Sequence, residues 1–140
     1  MSAASPYGSG VPLVVDTSAW VRQREPQFRE RWKATVRGGL VAICPVVALE
    51  ILTGARDQTA FDELDRALAA LPQAPVTAAV CQAALHASRE LGGSRRLPAA
   101  DYLIAAAAAE RGFGVLHLDG HYDTLAPVLG FESVRLDREP

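Results

Sequence analysis

The 140-residue sequence predicts an α/β domain with a mainly parallel central sheet of about four to five strands flanked by helices. Three observations carry this. Short, solidly apolar runs at 13–15, 40–44 and 114–118 alternate with longer amphipathic stretches, and runs without polar alternation suit strands covered on both faces. Proline or a capping residue opens most of the longer stretches and glycine closes them, which is how helices are punctuated. Two apolar runs lead into a carboxylate, Asp16 and Asp119, at the strand ends where open α/β sheets hold ligands.

In chain order, residues 1–12 are rich in Ser, Ala and Gly and have neither a basic start nor an apolar run; they read as a flexible tail, not a signal peptide. Strand 13–15 follows, and Ala19-Trp20-Val21-Arg22 begins a short helix or turn. Pro26 opens a helix to Arg37, with Arg29, Lys33 and Arg37 along its polar face and Gly38-Gly39 ending it. After strand 40–44, Pro45 leads into a helix at 46–53, closed by Gly54. Residues 57–71 place Phe61, Leu64, Leu68 and Leu71 on one helical face. Pro72 and Pro75 break that helix, and Pro75-Val76 suits a short edge strand. Thr77 is an N-cap candidate for a helix to Leu91, followed by the basic loop Ser94-Arg95-Arg96-Leu97. Pro98 starts a helix running to about Arg111. Its alanines at 105–109 allow close packing, as in a buried helix or a dimer face. Strand 114–118, helix 122–129 and strand 132–136 complete one domain over 13–136, and 137–140 is a C-terminal tail.

A net charge of −2 and a pI near 5.9 exclude coating of nucleic acid by bulk attraction, though not a local basic groove. The cations are thirteen arginines and Lys33 alone. Cys44 and Cys81 lie among apolar neighbours without metal-type spacing and read as buried thiols of a cytoplasmic protein. No apolar run is long enough to span a membrane.

Four of the sixteen carboxylates stand out. Asp16 and Asp119 end strands. Glu50 sits within Val46-Val47-Ala48-Leu49-Glu50-Ile51-Leu52, where a carboxylate is costly unless paired or metal-bound; the alternative is the helix's one solvated edge. Asp101 lies in the first turn of its helix, which favours negative charge in any case. Gathered at one rim, four carboxylates would raise one another's pKa, a conflict that Mg²⁺ or Mn²⁺ resolves. The chemistry that follows is metal-assisted phosphodiester hydrolysis. Asp16, Asp101 and Asp119 are the metal-ligand candidates, and Glu50 completes the site or orients the attacking water. Thr17, Ser18 and Asp123 are accessory candidates; Ser18 and Asp123 are equally suited to helix capping. His117 and His121 are tempting ligands, but read first as a packed strand residue and a loop residue. Arg22, Arg24, Arg95 and Arg96 are candidate contacts to nucleic-acid phosphates, and are equally suited to solvated surface or to an acidic partner segment.

These residues resemble the PIN-domain family, and within it the VapC-type toxins of bacterial toxin–antitoxin pairs. The resemblance rests on Val14-Val15-Asp16-Thr17-Ser18-Ala19-Trp20, on Glu50 after Pro45-Val46-Val47-Ala48-Leu49, on Asp101 in Ala-Ala-Asp-Tyr-Leu-Ile, and on Asp119 in Leu-Asp-Gly-His-Tyr-Asp. It implies Mg²⁺- or Mn²⁺-dependent cleavage of RNA by Asp16, Glu50, Asp101 and Asp119, homodimerisation, and inhibition by a cognate VapB-type antitoxin. One departure is His117, where the family commonly carries Thr or Ser. A haloacid-dehalogenase-like phosphatase needs a second aspartate where Ser18 stands, and a receiver domain needs a late lysine that is absent. A PIN-like fold reduced to a binding module would have lost an acidic residue, and none is missing.

Overall fold

The computed structural model describes residues 6–92 and 96–139. Among these, four parallel strands, β1 (Leu13–Val15), β2 (Val41–Ala42), β3 (Gly114–His117) and β4 (Ser133–Arg135), form one sheet in the order β2-β1-β3-β4. The helices are α1 (Thr17–Trp20), α2 (Pro26–Arg37), α3 (Pro45–Thr53), α4 (Gln58–Ala69), α5 (Ala78–Leu91), α6 (Ala99–Glu110) and α7 (His121–Leu129). The chain passes from β1 to β2 on one side, then crosses back to β3 on the other. The strand order therefore reverses between β1 and β3, and a crevice forms at their carboxyl ends.

Every residue of β1, β2 and β3 is buried, as expected of strands covered on both faces. Register pairs Leu13 with Gly114 and Val15 with Leu116. Gly114 is a steric requirement: a Cβ there would lie 2.6 Å from the Glu132 carbonyl oxygen and 2.7 Å from the Leu13 side chain. Gly114→Ala is expected to cost about 1–3 kcal/mol through overpacking, seen as a lower urea midpoint at unchanged slope.

Helix α6 packs on β1, β3, α3, α5 and α7, and Ile104 to Ala108 are all buried. Its alanines thus serve close packing within the chain. Thr77 caps α5 by accepting from the Val80 N–H, as its position predicts.

Three expectations are corrected. Residues 6–12 are not a loose tail: Tyr7 is buried, its hydroxyl donates to the Leu136 carbonyl at 2.6 Å, and its N–H donates to Thr35 Oγ1 at 3.0 Å. The Arg31 guanidinium stacks 4.0 Å over its ring. The edge contact beside β2 is made by Gln73, bridged to Ile43, instead of Pro75-Val76; Pro75 has no N–H to offer a ladder. Cys44 is buried, and burial pushes its thiol pKa up. Cys81 is exposed on α5. No described helix is long and apolar enough to cross a membrane.

Candidate metal centre

Asp16 leaves β1 and caps α1. Ser18 reinforces it twice, donating from its N–H (3.1 Å) and its Oγ (2.6 Å) to Asp16 Oδ2. The same Oγ accepts from the Leu118 N–H at 3.0 Å, which ties the ends of β1 and β3 together. Ser18 is thus a strap across the crevice, and the capping role belongs to Asp16. Thr17 Oγ1 is buried with no hydrogen-bond partner among the described residues, a polar group left available beside Asp16.

Helix α7 delivers the other half of the centre. The Tyr122 hydroxyl donates to Asp16 Oδ1 at 2.7 Å and lies 3.4 Å from Asp101 Oδ1. Burial and the surrounding carboxylates push the Tyr122 pKa far up, so it remains a donor. His121 Nδ1 lies 2.7 Å from Asp101 Oδ2 and 2.9 Å from Asp119 Oδ1, and the His121 N–H donates to Asp119 Oδ1 at 2.9 Å. Burial raises the Asp101 pKa; the His121 hydrogen bond opposes this, and the charges of Asp16 and Asp119 add to it. That is the like-charge conflict a cation relieves.

Among the described residues, Asp101, Asp119 and His121 form a group whose ligand atoms all lie within 4.8 Å of one another. Asp101 comes from the first turn of α6, Asp119 from just beyond β3, and His121 from the start of α7. Two carboxylates, an imidazole, a neighbouring Asp16 and an unpartnered hydroxyl fit a divalent cation.

His117 supports this arrangement from below. Its Nδ1 accepts from the Asp119 N–H at 3.0 Å, so Nε2 carries the proton and donates to Ser133 Oγ at 2.7 Å; Ser133 in turn donates to Asp123 at 2.7 Å. Burial lowers the His117 pKa and keeps the ring neutral.

A PIN-domain family model matches residues 13–126. The chain belongs to the PIN-domain family. Among curated relatives it is 38% identical over 121 residues to ribonuclease VapC18 of Mycobacterium tuberculosis, covering 83% of this chain and 88% of that protein. It is 35% identical to ribonuclease VapC51 of the same organism, over 84% and 87% of the two chains. Among solved structures it resembles the DNA-bound VapBC of Salmonella typhimurium, with a TM-score of 0.70 at 17% identity, covering 90% of this chain and 98% of that one. The fold resemblance and the two VapC relatives place the chain among the VapC-type PIN domains.

Within this PIN domain the remaining candidates fall out as follows. Glu50 is exposed on α3 and lies outside the three-residue group, as does Asp16; its apolar sequence neighbours do not enclose it. Asp123 is also exposed, accepts from Ser133 and is outside the three-residue group. His121, expected in a loop, begins α7 and joins the centre. Arg22 is engaged by Glu25 at 2.6 and 2.9 Å and lies over Phe28. Arg24 borders a surface depression of about 510 Å³ with Arg29, Trp32 and Lys33. Arg96 is exposed just ahead of α6, and Arg95 lies outside the described residues. Tyr122 is the residue at the centre that the sequence did not single out; the available signal was its place about one turn after a strand-terminal carboxylate.

Proposed function

We propose that this chain is the ribonuclease toxin of a toxin–antitoxin pair, hydrolysing RNA phosphodiester bonds with Mg²⁺ or Mn²⁺ and held inactive by a VapB-type antitoxin. The observation that carries the reading is the convergence of Asp101, Asp119 and His121 with Asp16, joined through Tyr122, at the crevice between β1 and β3. The VapC ribonuclease relatives and the VapBC complexes of like fold support it.

A divalent ion in this centre would neutralise charge at phosphate and ease proton loss from the attacking water. Asp101 and Asp119 would hold it. Asp16, locked by Ser18 and Tyr122, adds the third carboxylate as a ligand or through water, and Thr17 Oγ1 is available to bond that water. Glu50, solvent-accessible on α3, suits the orientation of the attacking water. Arg24 and Arg96 contact backbone phosphates, with Arg95 and Arg22 as further candidates. The apolar groove between α5 and α6, lined by Ala84, Leu85, Tyr102 and Leu103, suits the homodimer contact.

Purified chain incubated with RNA should cleave it in Mg²⁺ or Mn²⁺, stop on addition of EDTA, and stop again on addition of the cognate antitoxin. Cleavage indifferent to EDTA overturns the metal assignment. Reversing the charge of Arg95 and Arg96 should weaken RNA binding and flatten its salt dependence by roughly 0.7 in log–log slope per lost phosphate contact. An unchanged slope removes both residues from the RNA path.

A further inference from the structure

We infer that His121 is itself a ligand of the centre, so that the site takes two carboxylate oxygens and one imidazole nitrogen and selects Mn²⁺ over Mg²⁺. This rests on the cation site proposed above and goes further by assigning its ligand chemistry.

The three side chains lie close enough together for one ion to reach an atom of each. In an octahedral ion with bonds of about 2.1 Å, neighbouring ligand atoms lie about 3.0 Å apart. His121 Nδ1 is 2.7 Å from Asp101 Oδ2 and 2.9 Å from Asp119 Oδ1, and these three atoms all fall within 4.8 Å of one another. The ring is tied in place through its own backbone, because the His121 N–H donates to the same Asp119 oxygen. Its side chain is 39% exposed, so the centre is open to ions from solvent.

His121 Nδ1 faces both carboxylates; an ion held there would take the Nδ1 lone pair, with the ring proton on Nε2. Mg²⁺ is a hard ion that favours oxygen and gives up its water reluctantly. Mn²⁺ stands at the start of the divalent transition series, in which imidazole is a normal ligand. A nitrogen corner therefore separates two ions that an all-carboxylate site treats more alike.

The test is calorimetric titration of the intact chain with MnCl₂ and with MgCl₂, for the wild type, His121→Asp, His121→Gln and Asp119→Asn. Pulsed EPR of the Mn²⁺-loaded wild type accompanies it. The wild type should bind Mn²⁺ more tightly than Mg²⁺, and the ratio should fall about tenfold or more in His121→Asp and His121→Gln. The wild-type spectrum should show nitrogen modulation from a directly bonded imidazole. A ratio unchanged in both His121 variants, or Mn²⁺ bound with no nitrogen modulation, overturns the assignment of His121. In that event, lost binding in Asp119→Asn leaves the carboxylate site standing. Wild type that binds neither ion overturns the site and the inference together. Because the nitrogen signal is read on the wild type, the outcome does not depend on the variants folding.

Discussion

Asp101→Asn is expected to stabilise the metal-free protein while removing both cation binding and RNA hydrolysis. Asp101 is buried in the first turn of α6, and its pKa is raised by desolvation and by the charges of Asp16 and Asp119. A carboxyl whose native pKa exceeds its unfolded value binds more protons folded than unfolded. Its contribution to stability is full below the unfolded pKa and is lost as pH rises through the native one. At neutral pH the ionised Asp101 is therefore a cost in the metal-free state. Asparagine keeps one acceptor oxygen, enough for the closer partner His121, and removes the charge, so a gain of roughly 0.5–2 kcal/mol is expected. The same substitution removes a ligand from the centre. An ion at about 100 times its dissociation constant should stabilise the wild type by about 2.7 kcal/mol and the variant hardly at all. RNA cleavage should fall by roughly 10²-fold or more, the equivalent of several kcal/mol of lost electrostatic stabilisation. Thermal melts from pH 4 to 7, in EDTA and in MnCl₂, read every part of this. A variant less stable than wild type in EDTA at neutral pH, or still stabilised by Mn²⁺, contradicts it.

The second large effect is structural. Tyr7→Ala should destabilise the domain by about 3–5 kcal/mol, because it empties a buried aromatic site, out of a total that for such domains is roughly 5–15 kcal/mol. Tyr7→Phe isolates one part of that loss: it keeps the ring and removes the hydroxyl donated to the Leu136 carbonyl, at a cost of about 1–2 kcal/mol. Arg31 stacks on this ring and also donates to the Arg138 carbonyl, so the segments before β1 and after β4 are closed over the same side chain. Urea unfolding of the two variants measures both numbers. A Tyr7→Ala midpoint within error of wild type contradicts the claim that 6–12 is part of the folded core.

Tyr7 also shows where sequence reading stops. One aromatic among small polar residues carries no periodicity, and only the distant Leu136 and Thr35 reveal that it is buried. The strands, by contrast, were legible because burial on both faces leaves a continuous apolar run, and the parallel order follows from their alternation with helices. Asp16, Asp101 and Asp119 were legible because their positions are local facts: the end of a strand or the first turn of a helix. Glu50 was misjudged in its surroundings. Its neighbours in sequence are apolar, but helical residues step by about 100°, and the stripe that α3 buries is Val47 and Ile51. Glu50 lies beside Leu49 on the exposed side. His121 could be weighed as a ligand from sequence but not placed, because the chain bends after Asp119 through Gly120 before α7 begins, and that bend aims an apparent loop residue back at two carboxylates. Ser18 bonds Asp16, as its place in sequence allowed, and also straps β1 to β3, a contact across 100 positions that no local pattern reveals.

The most direct test of one shared cation centre is the rate of RNA cleavage in saturating MnCl₂ by wild type, Asp16→Asn, Asp119→Asn and the double variant. Residues serving a single ion act as a unit, so each single substitution should abolish nearly all of the ion-dependent rate and the double should be scarcely worse than either. Losses that multiply in the double variant, or an Asp16→Asn protein that still cleaves RNA in the presence of EDTA, would contradict a common metal site joining the ends of β1 and β3.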